Sequence, residues 1–373
     1  MTHRWRVMAW MIVMIVLLAW TALPVAVDSA AASTQAPRLW QLAEQEQATL
    51  EQRGVVLHES SLSTYLNTVA ERLWEKVDTD LNLPTVEVIM DSRMEAYAYP
   101  NGYCYLSTGI LDQIENEDQL AMILAHEMVH YVRQHAVALY NHFQKPIFNA
   151  ALQYANQNQG FNEQAMNKEI QAAEYEADHE GLAILKAAGY CEAEVLALMS
   201  NLMRGLRDQG PPEASGPLEN RIKIMQRLIG HARSDFSCKS ATDGDPQHFL
   251  KRIAPAFLAN AQTSLRRGNW NQADKSVTKF LVLQPENARA FYLKGEILRR
   301  RNDGDGKNLC IGCYEKALKI DPTFPLAHRA LGELYYKAGR YQMARPYFEA
   351  FLSLAPQDDA REYVKGYLRQ CRD

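Results

Sequence analysis

The chain has 373 residues, enough for two or three domains that each bury their own core. Charged residues make up 23% and hydrophobic residues 47%, the balance of an ordinary globular protein. A net charge of −4 argues against nucleic acid as the main partner, because phosphate binding leans on basic patches.

Residues 1–32 stand apart. Arg4 and Arg6 are followed by a nearly unbroken apolar run from Val7 to Leu23, then Pro24 and small residues ending in Ala30-Ala31-Ala32. That order predicts a secretory signal peptide cleaved after Ala32 and a mature protein in a periplasm. An uncleaved anchor is the alternative, since the run is almost long enough to span a bilayer. No long apolar run follows residue 27, so no stable membrane span is expected after cleavage. The six cysteines suit disulfides in that compartment, with Cys191–Cys238 a plausible bridge. Cys310-Ile311-Gly312-Cys313 has no second C-x-x-C to pair with, so structural cysteines are expected there.

Pro37 to Arg53 carries apolar positions at helical spacing, and Glu59 to Val77 is a clearer amphipathic helix with Leu62, Tyr65, Leu66, Val69, Leu73 and Trp74 on one stripe. After Pro84, Val86 to Met90 alternates as a strand. Ala96 to Tyr99 and Tyr103 to Ser107 flank Pro100-Asn101-Gly102, which predicts two antiparallel strands around a turn. Beside a metal helix, such a sheet can accept an extended substrate as an extra strand.

Asn116 with Gln119 resembles a capping box and opens a helix expected to run to about Tyr140. Inside it lies His126-Glu127-Met128-Val129-His130. Residues four apart share a helix face, so His126 and His130 can offer two imidazole nitrogens to one metal ion. Glu127 is turned about 100° away, beside a water at the ion and outside the ligand set. Residues 141–172, rich in Gln and Asn, read as an excursion that is either a lid or a plain connector.

A catalytic zinc needs a third protein ligand. Ala172 to Gly189 supplies candidates: Glu174 and Asp178 are four apart, and Glu176 rivals Glu174. Asp178 is positioned to accept a hydrogen bond from a ligating imidazole. Leu218 to Leu228 resumes a helix, and residues 233–252 read as a polar linker. From residue 253 the chain repeats. Pro322 and Pro356 lie 34 residues apart, the tetratricopeptide period, and Gly268, Ala273 and Pro285 match Gly339, Ala344 and Pro356 in spacing. Three helix pairs and a capping helix, Ala360 to Gln370, satisfy the stacking of a solenoid, with the extra residues of the middle unit at Asn302 to Gly306.

These residues resemble the CaaX-prenyl-protease-type zinc metallopeptidases, in their exported branch with C-terminal tetratricopeptide repeats. The resemblance runs from about Trp40 to Leu228. It is carried by Ser63 to Asn67, Ala96 to Gly102, Leu106 to Leu111, His126 to His130 with His135, and Glu174 to Asp178 with Gly181. It implies a mainly α, zincin-like domain with a small β-sheet over residues 37–232, followed by an α-solenoid over 253–373. It implies one zinc ion held by His126, His130 and Glu174, with Glu127 as general base. Asp178 would orient a ligand histidine, Arg221 would brace the acidic helix, and His135 would not bind metal. Two positions depart from the family. Glu95 stands where Asn is common, and Ser215-Gly216-Pro217 lacks the histidine that precedes the family arginine. Loss of one oxyanion donor costs roughly a hundredfold in rate, so a slower peptidase or a different donor is implied.

The expected function is a zinc-dependent endopeptidase cleaving protein or peptide substrates. By resemblance these are misfolded or mis-assembled envelope proteins, with the repeats forming a concave surface for substrates or for an outer-membrane assembly partner. The alternative is a chaperone-like scaffold with a weakly active or structural metal site.

Overall fold

A computed structural model describes residues 35–139, 163–209, 216–230, 245–301 and 306–371. The expected leader 1–32, Tyr140 at the expected helix end, residues 141–162 of the excursion, Ser215, residues 233–244 of the linker, the Asn302 to Asp305 turn and Cys238, the expected partner of Cys191, lie outside the described residues. The chain divides into two compact units between Ile253 and Ala254.

The first unit begins with α1 (Gln35–Gln52) and α2 (Ser60–Trp74). The apolar stripe of α2 is the buried one: Leu62, Tyr65, Leu66, Val69, Ala70 and Leu73 are all inside, whereas Trp74 is half-exposed. Three strands follow, β1 (Thr85–Ile89), β2 (Ala96–Ala98) and β3 (Tyr103–Ser107), in the spatial order β1-β3-β2. β2 and β3 pair antiparallel around the expected turn, where Gly102 takes φ +84°, a left-handed conformation that glycine adopts without cost. β1 pairs parallel to β3, with Val86 opposite Cys104 and Val88 opposite Leu106. β3 is therefore central, which is why Cys104 to Ser107 are buried without alternation.

β3 runs into α3 (Thr108–Leu111), where the Ser107 hydroxyl accepts from the Ile110 amide. The main helix of the unit is α4 (Glu117–Val132), against which α2, β2, α5 (Glu163–Ala187) and α6 (Ala193–Gln209) pack. α7 (Gly216–Gly230) packs on α5 and α6. α4 is shorter than its apolar pattern predicts. Gln134 takes φ +53° and its side-chain amide donates to the Tyr131 carbonyl at 2.7 Å, closing the helix at Arg133. Residues 135–139 turn helical again.

The second unit is helical. α8 (Pro246–Arg267) begins before the division and is followed by α9 (Trp270–Leu283), α10 (Ala288–Arg301), α11 (Gly306–Ile320), α12 (Pro325–Lys337), α13 (Tyr341–Leu354) and α14 (Arg361–Gln370). The repeat has a physical basis. The Tyr314 ring of α11 lies where a Cβ on Gly295 would fall, and the Phe348 ring of α13 stands likewise over Gly332. The α10–α11 and α12–α13 pairs thus each seat an aromatic ring on a bare backbone, and they share one core through Cys310, Leu331, Tyr335 and Phe351. Among the described residues, no helix is long and apolar enough to cross a membrane.

Candidate active site

α4 is anchored at its N-terminus before it delivers any functional group. The Asn116 side chain accepts from the Gln119 amide, which meets one of the unpaired first-turn donors, and Gln119 Oε1 accepts from the Glu115 amide just before the helix. Glu117 then receives Tyr65 from α2 at 2.6 Å, Arg72 at 2.8 Å and Tyr190 at 3.1 Å. Asp118 accepts from the Cys191 amide at 2.8 Å. This buried network fixes the azimuth of α4, and with it the direction of the two histidines.

His126 and His130 point the same way, with their Nε2 atoms 3.0 Å apart. α5 comes alongside closely enough that a Cβ on Gly181 would lie 3.1 Å from the His126 amide nitrogen. At that approach Glu174 lies between the imidazoles, with Oε2 3.6 Å from His126 Nε2 and Oε1 3.6 Å from His130 Nε2. Donor atoms of the three residues all fall within 4.8 Å of one another. Donors bound about 2.0–2.1 Å from a tetrahedral ion stand roughly 3.3 Å apart, so this nitrogen–nitrogen–carboxylate set fits a small tetrahedral metal ion.

The second layer is built from α5 and α7. Asp178 Oδ1 lies 3.1 Å from His126 Nδ1. Arg221 of α7 forks onto Asp178, with Nε 2.7 Å from Oδ2 and Nη2 2.6 Å from Oδ1, while Nη1 meets Glu174 Oε2 at 2.5 Å. The resemblance implies that Arg221 braces the acidic helix; the structure adds that it holds both carboxylates at once. Glu176, the rival to Glu174, is turned elsewhere, 3.2 Å from His135 Nε2 and 3.4 Å from Arg133 Nε. His135 Nδ1 in turn lies 2.9 Å from His130 Nδ1. The outward nitrogen of each histidine thus has a close polar neighbour, Asp178 for His126 and His135 for His130. The sequence gives no signal for this use of His135, because it depends on the left-handed residue at Gln134.

Glu127 is buried. Burial raises its pKa to about 7 in the metal-free protein, against the lowering effect of His126 and of the Ala98 backbone amide. The Ala98 contact follows from sheet geometry. Tyr99 N donates to Tyr103 O, and Ser107 N donates to Glu95 O. By alternation the backbone groups of Ala96 and Ala98 point away from β3, toward the outer edge of β2. The sequence points to this sheet but gives no indication that its edge reaches the glutamate.

The other titratable groups are strongly shifted. Burial would lower the His126 pKa, but Asp178 and Glu174 overcome it and push the value up to about 9. Burial and the neighbouring His126 push His130 down to about 3. Burial would raise Glu174, yet His126 and Arg221 hold it far below the usual carboxylate range. Asp178 is lowered in the same way, by Arg221 and His126 against its burial. One acidic and one basic imidazole beside ionised carboxylates is the pattern of a functional cluster.

The metal-free protein should therefore be pH-sensitive. The folded His126 value of about 9 exceeds its ordinary 6.5, so its stabilisation is complete below that value and lost as pH rises through 9. Glu127, raised from 4.5 to about 7, acts in the same sense. Melting of the metal-free chain is expected to fall by several degrees between pH 6.5 and 9. A melting temperature that is flat across that window would contradict the assignment.

A sequence profile of peptidase family M48 matches residues 60–229. Profiles described as TPR or tetratricopeptide repeats match residues 258–306, 311–339 and 327–362. The chain is 21% identical over 334 residues to the beta-barrel assembly-enhancing protease of Escherichia coli (strain K12), covering 78% of this chain and 68% of that protein. The Shigella flexneri protein of the same description gives the same figures. A putative beta-barrel assembly-enhancing protease of Vibrio cholerae serotype O1 is 30% identical over 81 residues, which is 21% of this chain and 16% of that protein. Residues 60–229 are thus a metallopeptidase domain of peptidase family M48, and the chain that follows carries tetratricopeptide repeats.

Proposed function

We propose that this chain is a zinc-dependent endopeptidase of the periplasm, acting on misfolded or mis-assembled envelope proteins. Residues 1–32 would be removed on export, residues 37–232 would form the catalytic domain, 233–252 the linker and 253–373 the docking repeats. The observation that carries the reading is the convergence of His126, His130 and Glu174 beside a buried Glu127. The envelope role rests on the similarity to the beta-barrel assembly-enhancing proteases, at 21% identity.

In this reading His126, His130 and Glu174 hold one zinc ion, which supplies the Lewis acidity that polarises water and the scissile carbonyl. Glu127 takes a proton from the attacking water and returns it to the leaving amine. The Ala98 amide holds the Glu127 carboxylate in line, while the remaining outward backbone groups of β2 accept the substrate backbone as an added strand. Asp178 and His135 orient the two imidazoles through their outward nitrogens, and Arg221 keeps Asp178 and Glu174 ionised. Ser215-Gly216-Pro217 supplies no histidine to the oxyanion, so turnover is set by whichever donors remain.

The metal assignment is tested by replacing Glu174 with Ala. Purified wild-type protein should carry one zinc per chain by elemental analysis, and the variant should lose it. Stoichiometric zinc retained in Glu174→Ala would remove this residue from the ligand set. Glu176, held by His135 and Arg133, is not expected to substitute.

A further inference from the structure

The two compact units differ sharply in charge. Residues 1–253 hold twenty Lys and Arg against thirty-one Asp and Glu, whereas residues 254–373 hold twenty against thirteen. The overall −4 is thus a catalytic unit of −11 joined to a repeat unit of +7.

Part of the positive charge is gathered on one face of the repeats. On α10, Tyr292, Glu296, Arg299 and Arg300 recur as one helical stripe. Arg299 closes on Glu296 at 2.6 Å, while Arg300 reaches the same carboxylate only at 3.7 Å, so one acid answers two guanidinium groups. One turn before that stripe, Arg289 is answered by a neutral group, the Gln262 amide of α8, 2.8–2.9 Å away. On α12, Arg329 lies against Tyr292 and over the Phe351 ring, 5.6 Å from its centroid. It meets Glu333 and Asp358 only at 3.8 and 3.6 Å. Tyr363 of α14, 51% exposed, adjoins Arg329 and Glu333. Arg289, Tyr292, Arg300, Arg329 and Tyr363 therefore form a continuous run across α10, α12 and α14.

We propose that this face binds an extended, acidic polypeptide segment, with the arginines pairing its carboxylates and the two tyrosines packing on its chain. The proposal rests on the reading of the repeats as a docking unit and supplies the chemistry of what docks. Three features favour a polypeptide over an anionic lipid surface. The cations are all arginine, whose planar fork matches a carboxylate. They are interleaved with aromatic rings, as at protein interfaces. Glu333 and Asp358 remain on the same face, where a chain bearing acids at intervals can avoid them and a continuous plane of negative charge cannot.

The test uses the full-length chain carrying Glu127→Gln, so that bound peptide is not consumed. A fluorescein-labelled acidic peptide and its Asn/Gln counterpart are titrated by anisotropy. In parallel, sedimentation is measured with phosphatidylcholine vesicles with and without phosphatidylglycerol. The acidic peptide should bind at least about tenfold more tightly, and the difference should vanish near 1 M salt, where charges are screened beyond about 3 Å. Adding Arg289→Glu with Arg300→Glu should lower the affinity about tenfold or more, and the two Arg→Lys changes should keep most of it. The same charge change placed at Lys319 and Arg345, on α11 and α13, should leave binding intact. Equal binding of the two peptides, an unchanged affinity in the reversed pair, an equal loss in the control pair, or binding to anionic vesicles alone would overturn the proposal. None of these readings depends on zinc or turnover, so a failure of the metal assignment shows separately in the elemental analysis.

Discussion

Glu127→Gln is expected to lower kcat/KM on an unfolded protein substrate by about a hundredfold to ten-thousandfold while leaving the zinc content unchanged. The basis is positional. Glu127 is buried beside His126, its carboxylate is held by the Ala98 amide, and its oxygens are absent from the His126–His130–Glu174 cluster. Gln keeps the shape and can still accept from Ala98, but it cannot take a proton. Burial raises the Glu127 pKa to about 7 in the metal-free protein, against the lowering effect of His126. Equal degradation by the variant and by wild type would exclude Glu127 as the base, and with it the peptidase mechanism described above.

The second large effect is expected from Arg221→Leu. Arg221 contributes three charge-assisted hydrogen bonds to Asp178 and Glu174, and the Asp178 side chain is only 4% exposed. Removing the guanidinium leaves that carboxylate inside the protein with His126 as its remaining neighbour. Breaking a buried pair on one side costs about 3–5 kcal/mol, and the partial exposure of Glu174 and Arg221 places this case at the low end. Urea unfolding of the metal-free variant should show that loss. Zinc affinity, measured against a competing chelator, should fall about tenfold to a hundredfold, because the residue orienting His126 has lost its own support. Arg221→Lys should recover little, since a single ammonium cannot fork onto Asp178 and also reach Glu174. Wild-type stability and affinity in Arg221→Leu would reduce this arginine to a surface feature.

Much of the site was legible in the sequence because its strongest signals are local. His126 and His130 are four residues apart on an apolar helix, and that spacing fixes their common direction whatever surrounds them. The Asn116 cap, the Gly102 turn and the helical repeat after residue 253 are equally local, since each is written in backbone preference or in a period. Glu174 was harder to read. Its separation from Glu176 is two residues, about 200° around the helix, and no composition pattern chooses between them. The choice is made by how α5 lies on α4, which Gly181 permits by leaving room at the His126 backbone.

The length of α4 is the clearest miss. Its apolar pattern continues past Val132, and nothing in the sequence of Gln134 announces a left-handed residue. Yet that break swings His135 back until its ring faces His130. The parallel pairing of β1 with β3 was likewise unwritten, because strand partners are chosen by burial and not by alternation.

The sequence alone thus determined which chemistry the chain carries: two imidazoles, an adjacent glutamate, an acidic helix and an array of repeats, all properties of short stretches. Only the tertiary structure decided which carboxylate meets the imidazoles, which arginine supports it and which sheet edge meets Glu127. Those contacts join residues far apart in the chain, such as Asp178 and Glu174 with Arg221, 43 and 47 positions away. Their geometry is set by helix packing, where a shift of a fraction of a turn would exchange one side chain for another.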